Sequence, residues 1–504
     1  MSSSSIFSSK GATRPLAGIL AALLVAASLL MVIDRALYGE KLFLRYWGPG
    51  TLEGQIDGKI RKARAFAREA DVILFGSSYV RQGYATAPFL EHGLVPLNLG
   101  ISGGGPLSSY FLLDEISGTL RGRAIKPVLV LEIHGPFLSS EKSKHAEFRQ
   151  VFALVRDRRT IWDHFGPLYR HFANHGLSSK FLSHIAFPSF IYRQNNWNVA
   201  LGIELVGGHA GAEDIFGFSS GLHIADRPFP ATAKKRIRPF EEQILFVEKF
   251  VKLAAELGCR IIVVPITNPS SDYLDEVGKH EIHQAVASRL SGQIPDADIA
   301  VVPSAGLLPP NDNPAKTKGS HAYYDGGGHP NYWGGEWRSR RIIAILDRPP
   351  RANKVAASDR LAKSIHNVEL PGAWELRNVG MEAGRLTFGR AAVPPGESTQ
   401  ALSAPLSLEP GRDYFLELEA HVLQGTVVAG VDVYRNGSLF RWYEYPLSAS
   451  VKPGIPDLGP ARYTVQFTAH TADVRVRFAD RRTAGDQSPA RGWVRIVRLV
   501  SLRQ

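Results

Sequence analysis

The chain has 504 residues, 44% hydrophobic and 21% charged, a globular composition long enough for two or three separately cored regions. Lysine and arginine exceed the acidic residues for a net charge of +12, but they are scattered, with no long basic run or zinc-finger spacing, so no nucleic-acid partner is expected. One cysteine, Cys259, excludes an intramolecular disulfide and a cysteine-rich metal site, and neither a metal nor a cofactor is expected.

Residues Pro15–Ile33, "PLAGILAALLVAASLLMVI", carry no charge; Lys10 and Arg14 precede them and Asp34 and Arg35 follow. As a helix this run rises about 28 Å, near the thickness of a bilayer's hydrocarbon core. "VAAS" within it could serve as a signal-peptide cleavage site. The apolar run continues through Leu29–Ile33, however, which favours an uncleaved transmembrane signal anchor over residues 15–35. The preceding basic residues then place 1–14 in the cytoplasm and the body, from about Tyr38, in the periplasm or another extracytoplasmic space.

From Asp71 short apolar strands alternate with amphipathic helices. "DVILF", "VPLNL" and "PVLVLEI" read as buried strands, with a helix over "SSYFLLDEI". "PFEEQILFVEKFVKLAAELG" sets Ile244, Val247, Val251, Ala254 and Leu257 on one helical stripe, and "CRIIVVPI" and "DIAVVPS" add two strands. The pattern predicts a parallel sheet covered on both faces. It lapses between Pro136 and Pro239, an aromatic and basic insertion (136–239) readable as a lid, a substrate wall or padding. A polar linker, 347–366, leads to period-two alternation over 367–504. There Leu416, Leu418 and Ala420 alternate with Glu417, Glu419 and His421, which predicts an antiparallel β-sandwich.

Ligand sites in parallel sheets form at the carboxyl ends of strands. Three such ends carry "FGSS" (Phe75–Ser78), "NLGISGGG" (Asn98–Gly105) and "LEIHGPF" (Leu131–Phe137), and "YYDGGGHPNYWG" follows late in the chain. Alone, the paired serines read more readily as a helix N-cap than as a nucleophile. "GISGG" also satisfies Gly-x-Ser-x-Gly, which would make Ser102 a nucleophile, but only one extramembrane strand precedes it.

The four blocks in this order resemble the SGNH/GDSL hydrolase family, and the likeness spans most of Asp71–Leu346. It implies a three-layer α/β/α, flavodoxin-like catalytic domain over 40–346. Carried onto this chain, it implies Ser78 as nucleophile, His329 as its base and Asp325 as the acid that orients the imidazole. The backbone N–H groups of Ser78 and Gly103 would face the oxyanion. Two departures stand out. Pro136 occupies the place of the family's oxyanion-binding asparagine, leaving His134 or Asn268 as substitutes. Three residues, not two, separate Asp325 from His329.

The region after 367 holds many aromatic residues, and its pattern looks like a carbohydrate-binding jelly roll. "RWYEYP" makes Trp442, Tyr443 and Tyr445 the candidate sugar platform, with core packing as the competing explanation. The two-module layout is similar to the membrane-anchored alginate O-acetylation proteins. That likeness implies O-acetylation of a polysaccharide, with acetyl groups supplied by a separate membrane-bound O-acyltransferase. Two alternatives remain open: a polysaccharide deacetylase or esterase using the same triad, and a catalytically degenerate scaffold subunit.

Overall fold

The computed structural model describes residues 13–39, 52–133, 213–219, 241–265, 284, 286–290, 298–301, 329–346, 361, 364–370, 372–389, 398–448, 457–481 and 489–503, with 166, 169 and 182 as isolated positions. Asp325, His134, Pro136 and Asn268 lie outside the described residues, as does most of the insertion. The chain divides into two compact units, residues 1–48 with 161–204 and residues 49–160 with 205–504.

In the first unit, helix α1 (Thr13–Gly39) covers the apolar N-terminal run. Its described side chains, residues 18–34, are almost all exposed, Leu24 and Val25 at 67% and 68%. Among the described residues no helix is long and apolar enough to cross a membrane.

The second unit begins with α2 (Leu52–Phe66), β1 (Val72–Phe75), the short α3 (Ser78–Gln82), α4 (Thr86–Glu91) and β2 (Pro96–Asn98). Then come α5 (Pro106–Arg121), β3 (Val128–Ile133), α6 (Glu241–Glu256), β4 (Arg260–Pro265), β5 (Ile299–Val301) and α7 (Tyr332–Ile345). The five strands form one parallel sheet in the order β2-β1-β3-β4-β5. β1 and β3 are buried along their whole length, as expected of central strands covered on both faces. Helices α2, α5 and α6 pack side by side, and α4 packs on α7. Phe250 of α6 meets Phe75 edge-on at 5.0 Å, closing one face over the middle of the sheet. In this order the direction of winding reverses beside β1, which places the natural crevice at the carboxyl end of that strand.

Twelve further strands follow: β6 (Ile365–Val368), β7 (Trp374–Leu376), β8 (Gly380–Glu382), β9 (Arg385–Phe388), β10 (Ser398–Ser403), β11 (Leu406–Ser407), β12 (Arg412–Gln424), β13 (Thr426–Arg435), β14 (Ser438–Ser448), β15 (Ala461–Ala469), β16 (Asp473–Asp480) and β17 (Arg491–Leu502). They form two antiparallel sheets, β14-β13-β16-β10-β7 with β11 on β16, and β15-β12-β17-β9-β8 with β6 on β17. The alternation on β12 and β16 buries Leu416, Leu418, Val474, Val476 and Phe478 between the sheets, as the period-two pattern predicts.

The first described strand of the sandwich begins at Ile365, and the sandwich packs directly against the α/β part. Both parts lie in one compact unit. Ala85 and Tyr332 of the α/β part belong to the sandwich's own apolar cluster. Arg61 donates to Asp413 at 2.6 Å, and the Lys62 ammonium sits 5.2 Å from the centre of the Phe415 ring. Burying an aromatic side chain such as Tyr332 contributes about 2–3 kcal/mol, so removing the sandwich would cost the α/β part some of its own core.

Candidate functional site

The two serines after β1 divide two jobs. Ser77 is the N-cap of α3: its backbone is extended and its hydroxyl accepts the Tyr79 N–H at 3.2 Å. Ser78 is therefore free of capping duty, and its Oγ lies 2.9 Å from Nε2 of His329, 251 residues later in the chain. Gly76 makes the corner possible. Its φ is +149°, and a Cβ there would lie 2.6 Å from Val80 Cγ2 and 2.9 Å from the Glu132 carbonyl oxygen.

His329 is held by its surroundings. The Tyr79 ring stacks on the imidazole at 4.5 Å with planes 8° apart. Asn331, two residues on, caps α7 by accepting the Gly334 N–H at 3.1 Å. Arg338 of α7 then reaches back to the serine corner. It donates to the Tyr79 carbonyl at 3.3 Å and to Glu132 at 2.5 Å, and its guanidinium lies 4.4 Å from the centre of the Tyr84 ring. Burial pushes the Tyr84 hydroxyl pKa well above its ordinary range, so it stays a neutral donor to Glu132. Ser339 adds a second clamp by exchanging hydrogen bonds with Ala85 N–H and C=O, each 2.9 Å. Two elements remote in sequence are thus fixed to each other on both sides of the Ser78–His329 contact.

The glycine-rich block after β2 packs onto the same corner. Asn98 donates to the Val80 carbonyl and accepts the Gly100 N–H, at 2.8 and 2.9 Å. A Cβ on Gly100 would come within 2.6 Å of the Arg81 nitrogen, so only glycine permits this approach. The Ile101 N–H donates to the Gly76 carbonyl at 3.0 Å. Among the described residues the N–H groups of Ser78 and Gly103 have no hydrogen-bond partner. The hydroxyl of Ser102, the competing nucleophile, accepts from Arg81 Nη1 at 3.2 Å, while the histidine pairs with Ser78.

Within the insertion, the described stretch Glu213–Ser219 forms a buried clamp. Phe216 and Phe218 pack near Phe66 and Phe89, and the Asn98 N–H donates to the Phe216 carbonyl at 2.8 Å, extending the β2 edge. Glu213 receives three cations: Lys62 Nζ at 2.8 Å, Arg81 Nε at 2.8 Å and Lys59 Nζ at 3.2 Å. Burial alone would push its carboxyl pKa up, but the three positive charges outweigh it and hold the group down at about 2. For Lys59 burial wins over Glu213, bringing the ammonium down to about 7. Among the described residues no group of three or more His, Cys, Asp or Glu side chains could hold a metal ion.

On the sandwich the candidate platform needs correcting. Tyr443 and Tyr445 are each 1% exposed and face the core, with Tyr445 donating to the Gln466 carbonyl at 2.9 Å, so neither offers a ring face to a ligand. The pleat turns Trp442 outward, 48% exposed and opposite Asp432 of β13. The same outer face carries a polar ladder in which Arg477 donates to Asp432 and Glu444 and Arg481 donates to Glu444.

Spacing arguments did not single out Tyr79, Arg81, Glu132, Glu213 or Arg338. Glu132 carried one signal, a carboxylate inside the otherwise apolar run "VLVLEI".

No protein-family model matches this chain, and no curated protein matches it either. Among solved structures it is similar to the enzymatically active domain of tailspike protein 4 of bacteriophage CBA120, at 12% identity and TM-score 0.18. That match covers 28% of this chain and 19% of the tailspike. It is also similar to the N-terminal cellulose-binding domain of a Cellulomonas fimi β-1,4-glucanase, at 16% identity and TM-score 0.17, covering 28% and 91% of the two chains. A third likeness is to the C-terminal carbohydrate-binding module of a Zobellia galactanivorans laminarinase, at 11% identity and TM-score 0.16, covering 27% and 97%. The two carbohydrate-binding modules match the C-terminal sandwich; at these scores the likeness extends no further than that.

Proposed function

We propose that the protein is an extracytoplasmic serine acyltransferase that O-acetylates a polysaccharide. The observation that carries this reading is the 2.9 Å contact between Ser78 Oγ and His329 Nε2 at the carboxyl end of β1. A serine hydroxyl is a weak nucleophile until a base removes its proton, and this imidazole is within reach to do so. In the first half-reaction Ser78 Oγ attacks the acyl carbonyl of the donor as His329 takes the hydroxyl proton. The Ser78 and Gly103 N–H groups stabilise the oxyanion. The carbon–oxygen bond to the donor breaks, and the departing oxygen receives the proton from His329. In the second half-reaction a sugar hydroxyl gives its proton to His329 and attacks the acyl-serine, and Ser78 Oγ leaves as the proton returns to it. Asp325 orients the imidazole in this scheme. A membrane-bound O-acyltransferase supplies the acyl group.

The test is covalent labelling of the full-length protein with a fluorophosphonate. Wild type, Ser77→Ala and Ser102→Ala should each take up one label per chain and Ser78→Ala none; label on Ser102 in the Ser78→Ala protein would overturn the assignment. Acetyl transfer to polymer, as opposed to release of free acetate, separates the transferase from a deacetylase or esterase.

Trp442 with the Asp432–Arg477–Glu444 ladder replaces the tyrosines as the sugar platform, since it joins an exposed ring to fixed hydrogen-bonding groups. Trp442→Ala should weaken polysaccharide binding by about 1–3 kcal/mol if sugar stacking is comparable to base stacking. It should leave turnover of a small ester unchanged. Affinity electrophoresis of the full chain in polysaccharide gels measures the first effect, and an unretarded wild type would sink the platform.

A further inference from the structure

We propose that Arg81 is a positioning residue for the Gly103 amide, set in place by Glu213 from the insertion; this rests on the Ser78 reading above. The residues Ile101–Gly104 form a tight turn in which the Gly104 N–H donates to the Ile101 carbonyl at 2.8 Å. Gly103 has φ +70°, the mark of a type II turn with Ser102 and Gly103 at its centre. Type I and type II turns differ chiefly by a flip of the peptide joining those two residues. The N–H of that peptide is the Gly103 amide, so the flip decides whether the donor faces the acyl oxygen or turns away from it.

The Arg81 guanidinium bears directly on this choice. Arg81 Nη1 donates to Ser102 Oγ at 3.2 Å, while its Nε donates to Glu213 Oε1 at 2.8 Å. Arg81 is fixed at both ends of its own residue as well. Its N–H donates to the Ser77 carbonyl at 3.1 Å and its carbonyl accepts the Ser219 N–H at 2.9 Å. Glu213, Ser219, Arg81 and Ser102 therefore form a continuous link from the insertion to the oxyanion amide. The planar fork of arginine suits the post, because two acceptors in different directions are held by one rigid group. A lysine carries all its donors on one nitrogen and lacks the separate Nε and Nη1 that Arg81 aims at Glu213 and Ser102. The buried part of the insertion thus acts on the site through geometry, by way of Arg81.

Ser102→Ala and Ser102→Thr in the full-length protein test this with p-nitrophenyl acetate. Removing the hydroxyl should lower kcat about tenfold at unchanged KM, short of the 10²–10³ lost when an oxyanion donor is deleted outright. Threonine, which keeps the hydroxyl, should recover most of the loss. Arg81→Lys should match Ser102→Ala, and the double variant should lose no more than either single one, because both break one link. An unchanged kcat in Ser102→Ala, a loss that threonine fails to rescue, or additive losses in the double variant would overturn the proposal. A wild type that neither turns over ester nor takes up fluorophosphonate would instead remove the Ser78 reading.

Discussion

Ser78→Ala should bring p-nitrophenyl acetate turnover down to the uncatalysed background, and His329→Ala should lower it by ~100-fold or more, the scale of a lost general base. Both follow from the one contact that joins residues 251 positions apart. The effects should be strongly non-additive. Once the nucleophile is gone a base has nothing to activate, so the double variant should resemble Ser78→Ala alone. Steady-state kinetics with circular dichroism as a control for folding measures this. Neither side chain is a cap or a core-filling group, so stability should change little. Turnover retained in Ser78→Ala would place the chemistry elsewhere and return the serine pair to a structural role.

Glu213→Ala should be strongly destabilising, by about 3–5 kcal/mol, because it leaves buried positive charges without their carboxylate. Lys59 and Lys62 are 0% and 1% exposed and Arg81 is 8% exposed, so water cannot replace the lost partner. The midpoint of urea unfolding should fall accordingly, and a change near zero would mean that the cations had found other acceptors. The pH dependence has a definite sign. The Glu213 carboxyl sits at about 2 in the folded chain against an ordinary value of 4.5. Between those values the unfolded chain binds more protons, so this contribution is complete above pH 4.5 and disappears as the pH falls toward 2. Lys59 acts at the alkaline end. Its folded value of about 7 lies below the ordinary 10.5. The unfolded chain again binds more protons between the two, so stability should rise with pH across that window. Lys59→Met should flatten that rise.

The repeating patterns were legible in the residues themselves. Period-two and helical spacing are set by backbone geometry, so strands such as "DVILF" and the alternation on β12 and β16 could be read without any partner in view. The serine pair could be noticed from its place at a strand end, whereas His329 became a candidate only through the resemblance to the SGNH/GDSL family. Spacing alone could not decide which serine serves which purpose; only the family resemblance named Ser78. Ser77 and Ser78 are chemically identical, and only the course of the backbone through Gly76 turns one onto its own helix and the other toward His329. Burial was equally hidden in "RWYEYP": alternate residues go to opposite faces, but the face that meets the core depends on how β14 registers with β13 and on the sheet packed behind it. Glu213, Arg81 and Ser102 share no spacing rule at all. Their contacts exist because a buried carboxylate must collect whatever cations the folded chain brings to it, a requirement that acts through space and leaves no period in the sequence.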